Sequence, residues 1–429
     1  MHILYSLLLT VLVLISLPWW LFQMVRSGKY RRGLSERLGR VPARLPSPGP
    51  PGSIWIHAVS VGEVLAITGL VSELKEKSPE HPVFVSTTTM TGQYLARGRF
   101  GENNAFFVPI DFGFAVRPYL RRLKPALLVL AETEFWPNLL YFTRRSGASI
   151  AVVNARISDR SFPRYRFFRW FFRRVLGGID LFLAQTQEDA FRLVGIGAPA
   201  DRVRVSGNLK FDVRAGLNAK LTDDMKRAIG PSSPLIVCGS TAEGEEEQLL
   251  KAFRVAIAVF PAAIMVLAPR HPERFDKVAD LVAAMGFTMT RRSAWDGTTP
   301  FMPGVVLLDS VGELASVYAL ADVAFVGGSL VPLGGHNILE PAQHGVAVMT
   351  GPHTFNFREI IRIFAEGGAL KVTSSEDLPA DLLTLLRNAD DRRALGERAR
   401  ALFLQNNGAT EKTLQALQSL LTARAKDAR

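Results

Sequence analysis

Residues 54–66 read IWIHAVSVGEVLA and decide the fold, because within them the pattern of a strand changes to the pattern of a helix. Ile54, Trp55 and Ile56 have the β-branched and aromatic composition of a buried strand. Small residues follow, and an amphipathic run over 64–77 then predicts a helix. A strand that leads directly into a helix is the repeating unit of an α/β fold.

The turn inside this stretch is predicted to lie at a ligand-binding edge. Gly62 allows a backbone to come close, and Glu63 places a carboxylate in the first helical turn, just outside the carboxyl end of the strand. A base at this position could face a bound substrate. The alternative is that Glu63 only complements the helix dipole, as many acids in a first turn do.

Short apolar runs separated by helical patterns continue this alternation and predict two parallel sheets. The first sheet continues at 83–86, 106–108, 127–130, 150–154, 181–184 and 203–205. The region 211–234 has few strand signals and carries Pro231 and Pro234, so a linker between two domains is expected there. The second sheet follows at 235–237, 264–267, 305–308, 323–326 and 346–349. Two doubly wound α/β domains are thus expected to face each other across a ligand-binding cleft.

Length and composition agree with two folded domains. The 429 residues are too many for one compact core, and 48% of them are hydrophobic, so folded structure is expected nearly throughout. The exceptions are a Pro/Gly-rich linker at 41–52 and the charged end after Ala423. The single cysteine, Cys238, excludes internal disulfides and lies in an apolar run typical of a buried strand. Zinc-site spacings such as CxxC and HExxH are absent, so no metal ligands are assigned.

The N-terminal run 3–25 is almost uninterrupted apolar sequence, long enough to cross a bilayer as one helix of about 20 residues. No basic region precedes it and no small-residue cleavage site follows it, so an uncleaved anchor is expected rather than a signal peptide. The basic residues that follow it are Arg26, Lys29, Arg31, Arg32, Arg37, Arg40 and Arg44. The positive-inside rule then places the domains in the cytoplasm. Because Pro18 and Gln23 interrupt the run, a buried helix or a helix lying in the membrane interface is the alternative.

The net charge of +12 indicates an anionic partner, and one segment shows which kind. Residues 160–174 interleave arginines with aromatic residues, and on a helix an apolar stripe would lie beside guanidinium groups. The stripe consists of Phe167, Phe168, Phe171 and Phe172. Anionic membrane lipid is therefore the favoured partner, and a core helix packed on the sheet is the alternative. Nucleic acid is not expected, because the basic charge continues a membrane anchor.

Strand-to-helix turns of the second domain are candidate ligand-binding segments. Residues 326–342, VGGSLVPLGGHNILEPA, place glycines before a helix that opens near Asn337, where N–H groups could bind a phosphate and Glu340 a ribose diol. The pattern is neither GxGxxG nor a P-loop, and glycines needed only for packing are the alternative. Arg270, in APRHPER, could hold a phosphate or a base edge, unless it belongs to a solvated charge cluster. Residues 311–313 form a further turn of this kind.

Two segments of the first domain also fall at predicted strand ends. Glu132 and Glu134, in AETEFWPN, alternate so that one of them should face the cleft, and Lys210 lies in SGNLKFD. Each residue alone is a weak signal, because most carboxylates and lysines are solvated. Together with Glu63 they bring acids and a cation to the ends of separate parallel strands, which indicates a catalytic edge.

Six motifs follow the N-terminal anchor in the order HAVSVGE, AETEFWPN, NARISDRS, SGNLKFD, PRHPER and GGHNILEPA. In this combination the chain resembles the 3-deoxy-D-manno-octulosonic acid (Kdo) transferases of lipopolysaccharide assembly, from the anchor to about Gln405. The resemblance implies a GT-B glycosyltransferase fold, a CMP-Kdo donor, a lipid A precursor of the lipid IVA type as acceptor, inversion at the sugar, and no metal or other cofactor. It also implies a place at the bacterial inner membrane, single-pass, with the catalytic domains on the cytoplasmic side.

The resemblance assigns roles to individual residues. Glu63 falls on the family's general base, and Glu132 and Lys210 fall on its transition-state stabilisers. CMP contacts fall on Pro269, Arg270, Val311, Gly312, Glu313, Asn337, Ile338, Leu339 and Glu340. Val311 replaces an expected methionine, which matters little if the backbone makes the contact.

The implied organisation has six parts: an anchor at 1–25, a basic juxtamembrane linker at 26–52, an acceptor-binding domain at 53–212, an interdomain linker at 213–232, a CMP-sugar-binding domain at 233–405 and a C-terminal helix or tail at 406–429. Other functions stay open. AxSxG at 58–62 is close to a nucleophile elbow, so a membrane-anchored serine hydrolase using Ser60 is one of them. A nucleotide-sugar epimerase of the same fold and a non-catalytic, membrane-tethered binding protein are the others.

Overall fold

The computed structural model describes residues 2–27, 33–212, 218–231 and 233–427, with the backbone alone at 20–27 and 425–427. The chain divides into two units by its internal contacts. Unit 1 comprises residues 1–212 together with 407–429, and unit 2 comprises residues 213–406. Each unit contains one seven-stranded parallel sheet.

The sheet of unit 1 is built around the strand quoted above. Its strands are β1 (Ser53–His57), β2 (Val83–Thr87), β3 (Ala105–Phe107), β4 (Pro125–Ala131), β5 (Ser149–Ala155), β6 (Leu181–Ala184) and β7 (Val203–Val205). They lie in the order β3-β2-β1-β4-β5-β6-β7, so β1 pairs with both β2 and β4. Ile54 and Ile56 enter the hydrophobic core on one face of the sheet and Trp55 enters the core on the other, because successive side chains of a strand alternate.

The first helices of the chain are α1 (His2–Ser27), α2 (Leu34–Arg37), α3 (Val61–Ala66), α4 (Thr68–Lys77), α5 (Met90–Phe100), α6 (Gly113–Leu123), α7 (Pro137–Arg145), α8 (Phe162–Phe167), α9 (Arg169–Leu176) and α10 (Gln187–Ile196). The helix predicted over 64–77 is two helices that break at Ile67. The stripe predicted over 160–174 is divided between two short helices. Phe172 packs against the core, whereas Phe167 and Trp170 are largely exposed. The segment therefore combines both predicted environments.

Unit 2 has a sheet of its own, in the order β10-β11-β9-β8-β12-β13-β14. Its strands are β8 (Leu235–Thr241), β9 (Ile264–Pro269), β10 (Met289–Arg291), β11 (Gly304–Leu307), β12 (Val323–Val326), β13 (Ala347–Thr350) and β14 (Lys371–Val372). Its helices are α11 (Ala219–Ile229), α12 (Glu245–Val259), α13 (Phe275–Ala284), α14 (Leu314–Tyr318), α15 (Leu339–Ala342), α16 (Arg358–Glu366), α17 (Leu378–Arg387) and α18 (Ala389–Asn406). Cys238 is fully buried in β8, as predicted.

The last helix, α19 (Ala409–Asp427), belongs to unit 1 although all of unit 2 precedes it in the chain. Leu414 and Leu417 join the core of unit 1, and the carboxylate of Asp212 accepts hydrogen bonds from the N–H groups of Gly408 and Thr410. The expectation that the charged end after Ala423 is unfolded is wrong as far as Asp427, because α19 extends to that residue.

The stretch 41–52, also expected not to fold, packs on unit 1. Leu45 is fully buried in the core, and its carbonyl oxygen accepts a hydrogen bond of 2.8 Å from Nε of Arg122. Val41 packs against the same core, and Nη2 of Arg44 donates to the carbonyl oxygen of Ala105 at 3.1 Å, so both apolar and polar contacts hold this Pro/Gly-rich stretch on unit 1.

Helix α1 contains a window, His2–Trp19, that is long and apolar enough to cross a membrane, and none of the window is buried. Its first two turns nevertheless contact α7. The ring of His2 stacks on Tyr141 with centroids 3.9 Å apart, and Nδ2 of Asn138 donates to Oγ of Ser6 at 2.9 Å. Asn138 is fully buried, so this contact is part of the packed surface of unit 1.

Candidate active site

Glu63 lies in the first turn of α3, beyond the carboxyl end of β1, and is only 8% exposed. Its carboxylate accepts hydrogen bonds from the N–H of Val59 at 2.7 Å and from Oγ of Ser60 at 2.9 Å. The pKa of the Glu63 carboxyl is raised to about 7, chiefly by burial and also by the charge of Glu132, against the lowering effect of the hydrogen bond from Val59. A carboxylate that titrates near neutrality is suited to accept a proton from a substrate.

Glu132 and Lys210 lie beside this carboxylate at the same edge of the sheet. Glu132 follows β4, the neighbour of β1, and its Oε1 is 3.2 Å from Nζ of Lys210. Its backbone has a φ of 59°, the left-handed region that residues other than glycine rarely adopt. Strained backbone of this kind gathers at functional sites. Of the two alternating glutamates, Glu132 thus faces the cation, while Glu134 accepts a hydrogen bond of 2.9 Å from the indole of Trp136.

The turn that carries Lys210 is fixed by two asparagines. Oδ1 of Asn154, at the end of β5, accepts a hydrogen bond of 3.0 Å from the N–H of Leu209. Oδ1 of Asn208 accepts one of 3.0 Å from the N–H of Lys210 itself. Asn154 also has a left-handed φ, of 54°. Sequence reasoning did not single out these asparagines, although Asn154 begins the motif NARISDRS.

In unit 2, the residues predicted to bind CMP lie at or after the carboxyl ends of β9, β11 and β12. Arg270 follows β9, and its positive charge acts on both Glu340 and His336. Burial raises the pKa of the Glu340 carboxyl, and Arg270 opposes this shift. Burial, together with the charge of Arg270, lowers the pKa of His336 to about 4. The turn after β9 and the glycine-rich loop after β12 are therefore close in space.

The other predicted CMP contacts differ in what they can offer a ligand. Val311 is 80% exposed, whereas the carboxylate of Glu313 is engaged by Arg292 at 2.9 Å and by Oγ of Ser310. The side chains of Ile338 and Leu339 are fully buried, so only their backbone groups are available. The remaining positions are Pro269 at the end of β9, Gly312 with a φ of 88°, and Asn337, whose Oδ1 accepts a hydrogen bond from the N–H of Leu339.

Known proteins identify this arrangement. The sequence model of the family described as 3-deoxy-D-manno-octulosonic-acid transferase (kdotransferase) matches residues 32–213. The chain is also 37% identical to a 3-deoxy-D-manno-octulosonic acid transferase of Haemophilus influenzae, over 92% of this chain and 93% of that protein. The chain belongs to the Kdo transferase family.

Other relatives agree with this assignment and with the fold. A Kdo transferase of Bordetella pertussis is 38% identical over 95% of this chain and 97% of its own length. The crystal structure of MurG from Acinetobacter baumannii is similar with a TM-score of 0.51, at 15% identity, covering 86% of this chain and 100% of that one. The predicted GT-B type of α/β fold, with two parallel sheets, is confirmed for this Kdo transferase.

The GGS turn, Gly327–Ser329, depends on a residue that sequence reasoning missed. Glu245, fully buried at the start of α12, accepts hydrogen bonds from the N–H groups of Gly328, Ser329 and Leu330, each at 2.7 Å. A fourth N–H, from Ala242, donates to it at 2.9 Å. Three successive glutamates begin α12 and read as dipole-complementing surface acids, so nothing in the sequence separates Glu245 from its neighbours.

The glycines of this turn are also required by packing. A Cβ atom at Gly327 would lie 2.7 Å from the carbonyl oxygen of Ser240, and one at Gly328 would lie 2.9 Å from the ring of His336. Such contacts are too close for any side chain. Packing, which was the alternative to ligand binding at this loop, thus accounts for these two glycines.

Two chemical alternatives can be judged from the side chains at the Glu63 edge and elsewhere. Oγ of Ser60 donates to Glu63, and the buried His57 contacts Oγ of Ser86 at 3.0 Å, so in the described part of the chain Ser60 has no histidine base of a hydrolase triad. Across the described residues, no group of three or more His, Cys, Asp or Glu side chains is placed to hold a metal ion.

Proposed function

We propose that this Kdo transferase transfers Kdo from CMP-Kdo to a lipid A precursor, with inversion at the anomeric carbon and without a metal. The observation that carries the proposal is the Glu63 carboxylate, which is buried, titrates near pH 7 and lies beside the Glu132–Lys210 pair. Membership in the family supplies the sugar, and the site geometry supports the chemistry.

Glu63 acts as the general base. A sugar hydroxyl is a poor nucleophile at neutral pH, so its proton must leave as the bond to the anomeric carbon forms. Glu63 takes this proton on its carboxylate. Lys210, held by Glu132 at 3.2 Å, is a fixed positive charge that stabilises the negative charge developing in the transition state.

Unit 2 holds the CMP portion of the donor. Arg270 binds the phosphate, which gains charge as CMP leaves, and Glu340 accepts hydrogen bonds from the ribose diol. The backbone of 311–312 and of 337–339 contacts the nucleotide, since the side chains of Ile338 and Leu339 are buried. Two further residues border this site. Pro269 is the last residue of β9, and Glu313 immediately precedes α14.

The test combines donor and acceptor in detergent. The purified protein is incubated with CMP-Kdo and a lipid A precursor in the presence of EDTA, and both products are followed by mass spectrometry beside Glu63→Gln. A mass gain of one or more Kdo units on the lipid, lost in the variant, is expected. If the wild-type protein binds CMP but adds no mass to the lipid, the lipid A precursor is not its acceptor. If transfer requires added metal, the metal-free mechanism is wrong.

We further propose that α1 attaches the protein to the bacterial inner membrane, with the catalytic units on the cytoplasmic side. The apolar window of α1 and the basic residues that follow it support this location. The sequence predicts a single crossing. The contacts of His2 and Ser6 with unit 1 favour the alternative, a helix that lies in the membrane interface.

Chain length supports the interfacial placement. After α1 the chain returns to unit 1 at α2, where the carbonyl oxygen of Arg37 accepts a hydrogen bond of 2.8 Å from the N–H of Ile110. The stretch from Ser27 to Gly33 spans at most about 22 Å in any conformation. A hydrocarbon core is about 30 Å thick, so a helix with its first turns on unit 1 cannot also carry its last residue across.

The topology is tested by labelling a single added cysteine. The native Cys238 is buried, so Ile3→Cys supplies the reactive thiol, and a membrane-impermeant maleimide is applied to intact and to permeabilised cells. Labelling only after permeabilisation with detergent, which also removes the lipid covering α1, is expected. Equal labelling of intact cells would show instead that α1 crosses the membrane.

A further inference from the structure

A basic pocket lies at the amino edge of the unit 1 sheet, opposite the edge that holds Glu63. Its volume is about 710 Å³, and Lys124 and Pro125, where β4 begins, form part of its wall. The positively charged residues that line it are Arg117, Arg121, Lys124, Arg145 and Arg424. None of the residues that line it is an aspartate or a glutamate. Neither catalysis nor donor binding uses this pocket.

The cations of the pocket have no carboxylate partners within the described part of the chain. Nη1 of Arg145 donates to the hydroxyl of Tyr141 at 3.0 Å, and Nε of Arg424 donates to the carbonyl oxygen of Gly147 at 2.9 Å. The guanidinium of Arg117 lies 4.4 Å above the centre of the Phe142 ring. Burial lowers the pKa of Arg424. Like charges gathered around one cavity repel one another, and a bound anion relieves that repulsion.

The pocket also has an apolar border, and that border continues into α1. Leu120 and Phe142 line it, together with His2 from the first turn of α1. On α1 itself, large aliphatic side chains are exposed on the side of the helix that faces away from unit 1: Ile3, Leu4, Leu7 and Leu8. A ligand that combines an anionic head with long apolar chains would match both surfaces.

We propose that this pocket binds the phosphate headgroup of an anionic membrane lipid, whose acyl chains lie along the exposed side of α1. The inference rests on the proposed attachment of α1 to the membrane. It adds a specific headgroup site to the general attraction that basic proteins have for anionic bilayers.

The test measures binding of the full-length protein to vesicles. One set contains phosphatidylcholine alone and the other contains phosphatidylcholine with phosphatidylglycerol; no acceptor is present. The pocket variant is Arg117→Gln/Arg121→Gln/Lys124→Gln. Its control, Lys75→Gln/Arg99→Gln/Arg204→Gln, removes the same number of arginines and lysines from exposed positions of unit 1 outside the pocket. Both variants therefore have the same net charge.

The pocket variant is expected to bind phosphatidylglycerol vesicles about 100-fold more weakly, from a roughly fivefold factor for each cation at an anionic surface. The control should lose much less. An equal loss in both variants, or none in the pocket variant, would overturn the proposal. So would full competition by inorganic phosphate at equal phosphate concentration, because the site would then take free phosphate. Transfer by the wild-type protein in detergent tests the proposed function separately, since that assay contains no bilayer.

Discussion

Nζ of Lys210 lies 3.2 Å from Oε1 of Glu132, although the two residues follow different strands of unit 1 and are far apart in sequence. Lys210 is held by Glu132, and the charge of Glu132 in turn raises the pKa of Glu63. The same carboxylate thus positions the cation and tunes the proposed base. This coupling makes the roles of the residues at this edge measurable one by one.

The activity should depend on the protonation of Glu63. Because its pKa is about 7, the proposed base is protonated and inactive at lower pH. We expect kcat/KM for transfer to fall about tenfold for each pH unit below neutrality. CMP affinity, measured by calorimetry over the same range, serves as the control. A rate that stays flat from acid to neutral pH would exclude Glu63 as the base.

Removing the charge of Glu132 should move this pH profile. Glu132 raises the pKa of Glu63, so Glu132→Gln is expected to shift the acidic limb of kcat/KM to lower pH. Glu134→Gln is the matched control, since Glu134 contributes the smallest of the effects on this pKa. A larger shift in the Glu134 variant than in the Glu132 variant would contradict the geometry.

Glu63 should lower the stability of the protein above neutral pH. Its pKa is about 7 in the folded state and 4.5 ordinarily, so the favourable contribution of the neutral carboxyl is complete below 4.5 and is lost as the pH rises through 7. Between acid and alkaline pH, we expect the free energy of unfolding of the wild type to fall by about 3 kcal/mol more than that of Glu63→Gln, whatever the lost hydrogen bonds cost the variant at both pH values. Urea titrations at both pH values measure this. An equal change in the two proteins between acid and alkaline pH would exclude this linkage.

Glu245 should control donor binding indirectly, because the GGS turn that it holds is bonded to the loop before α15: the N–H of Gly335 donates to the carbonyl oxygen of Gly328 at 2.7 Å. In Glu245→Gln, an NH₂ group faces backbone N–H donors, so we expect at least tenfold weaker CMP binding and a loss of about 3 kcal/mol in the free energy of unfolding. Glu247→Gln, in the same helical turn, removes only an ion pair with the exposed Lys251 and should change neither quantity. Equal CMP affinity in the two variants would mean that the turn does not need Glu245.

A substitution at Gly62 tests ligand contact without disturbing the packing of the protein. A Cβ atom there would come no closer than 3.9 Å to the surrounding protein, at Oγ of Ser60, so Gly62→Ala should leave the free energy of unfolding unchanged or raise it by about 1 kcal/mol. Transfer should fall at least tenfold if the acceptor lies against this backbone. Gly327→Ala, where packing leaves no space, should instead destabilise unit 2. Full activity of Gly62→Ala would show that the acceptor does not bind against the backbone of Gly62.

Much of the fold follows from local pattern. All the apolar runs that were predicted as strands are strands, because parallel strands buried on both faces are continuous apolar segments. The strands that were missed, Met289–Arg291 and Lys371–Val372, lie at the two edges of the unit 2 sheet. They are short and only partly buried, so no apolar run marks them. Their existence depends on a neighbouring strand rather than on their own residues.

The site shows the same division between local and distant causes. Glu63, Glu132 and Lys210 were found because each follows a strand, and parallel strands end at a common edge. Glu245 was not found, because its partners at 328–330 are more than 80 residues away and consist of backbone groups. Because every residue type other than proline has a backbone N–H, the sequence does not reveal which N–H groups bind Glu245. The roles of the residues at both sites remain predictions until the variants are measured.

The position of α19 has a consequence for biosynthesis. Leu417 completes the same core as Leu70 and Leu74, yet the ribosome synthesises it only after the whole of unit 2. Until then the nascent unit 1 exposes the apolar surface that α19 will cover, and Asp212 lacks the N–H groups of Gly408 and Thr410. Unit 2 can therefore finish folding first, and unit 1, although it is begun earlier, is the last part of the chain to be completed.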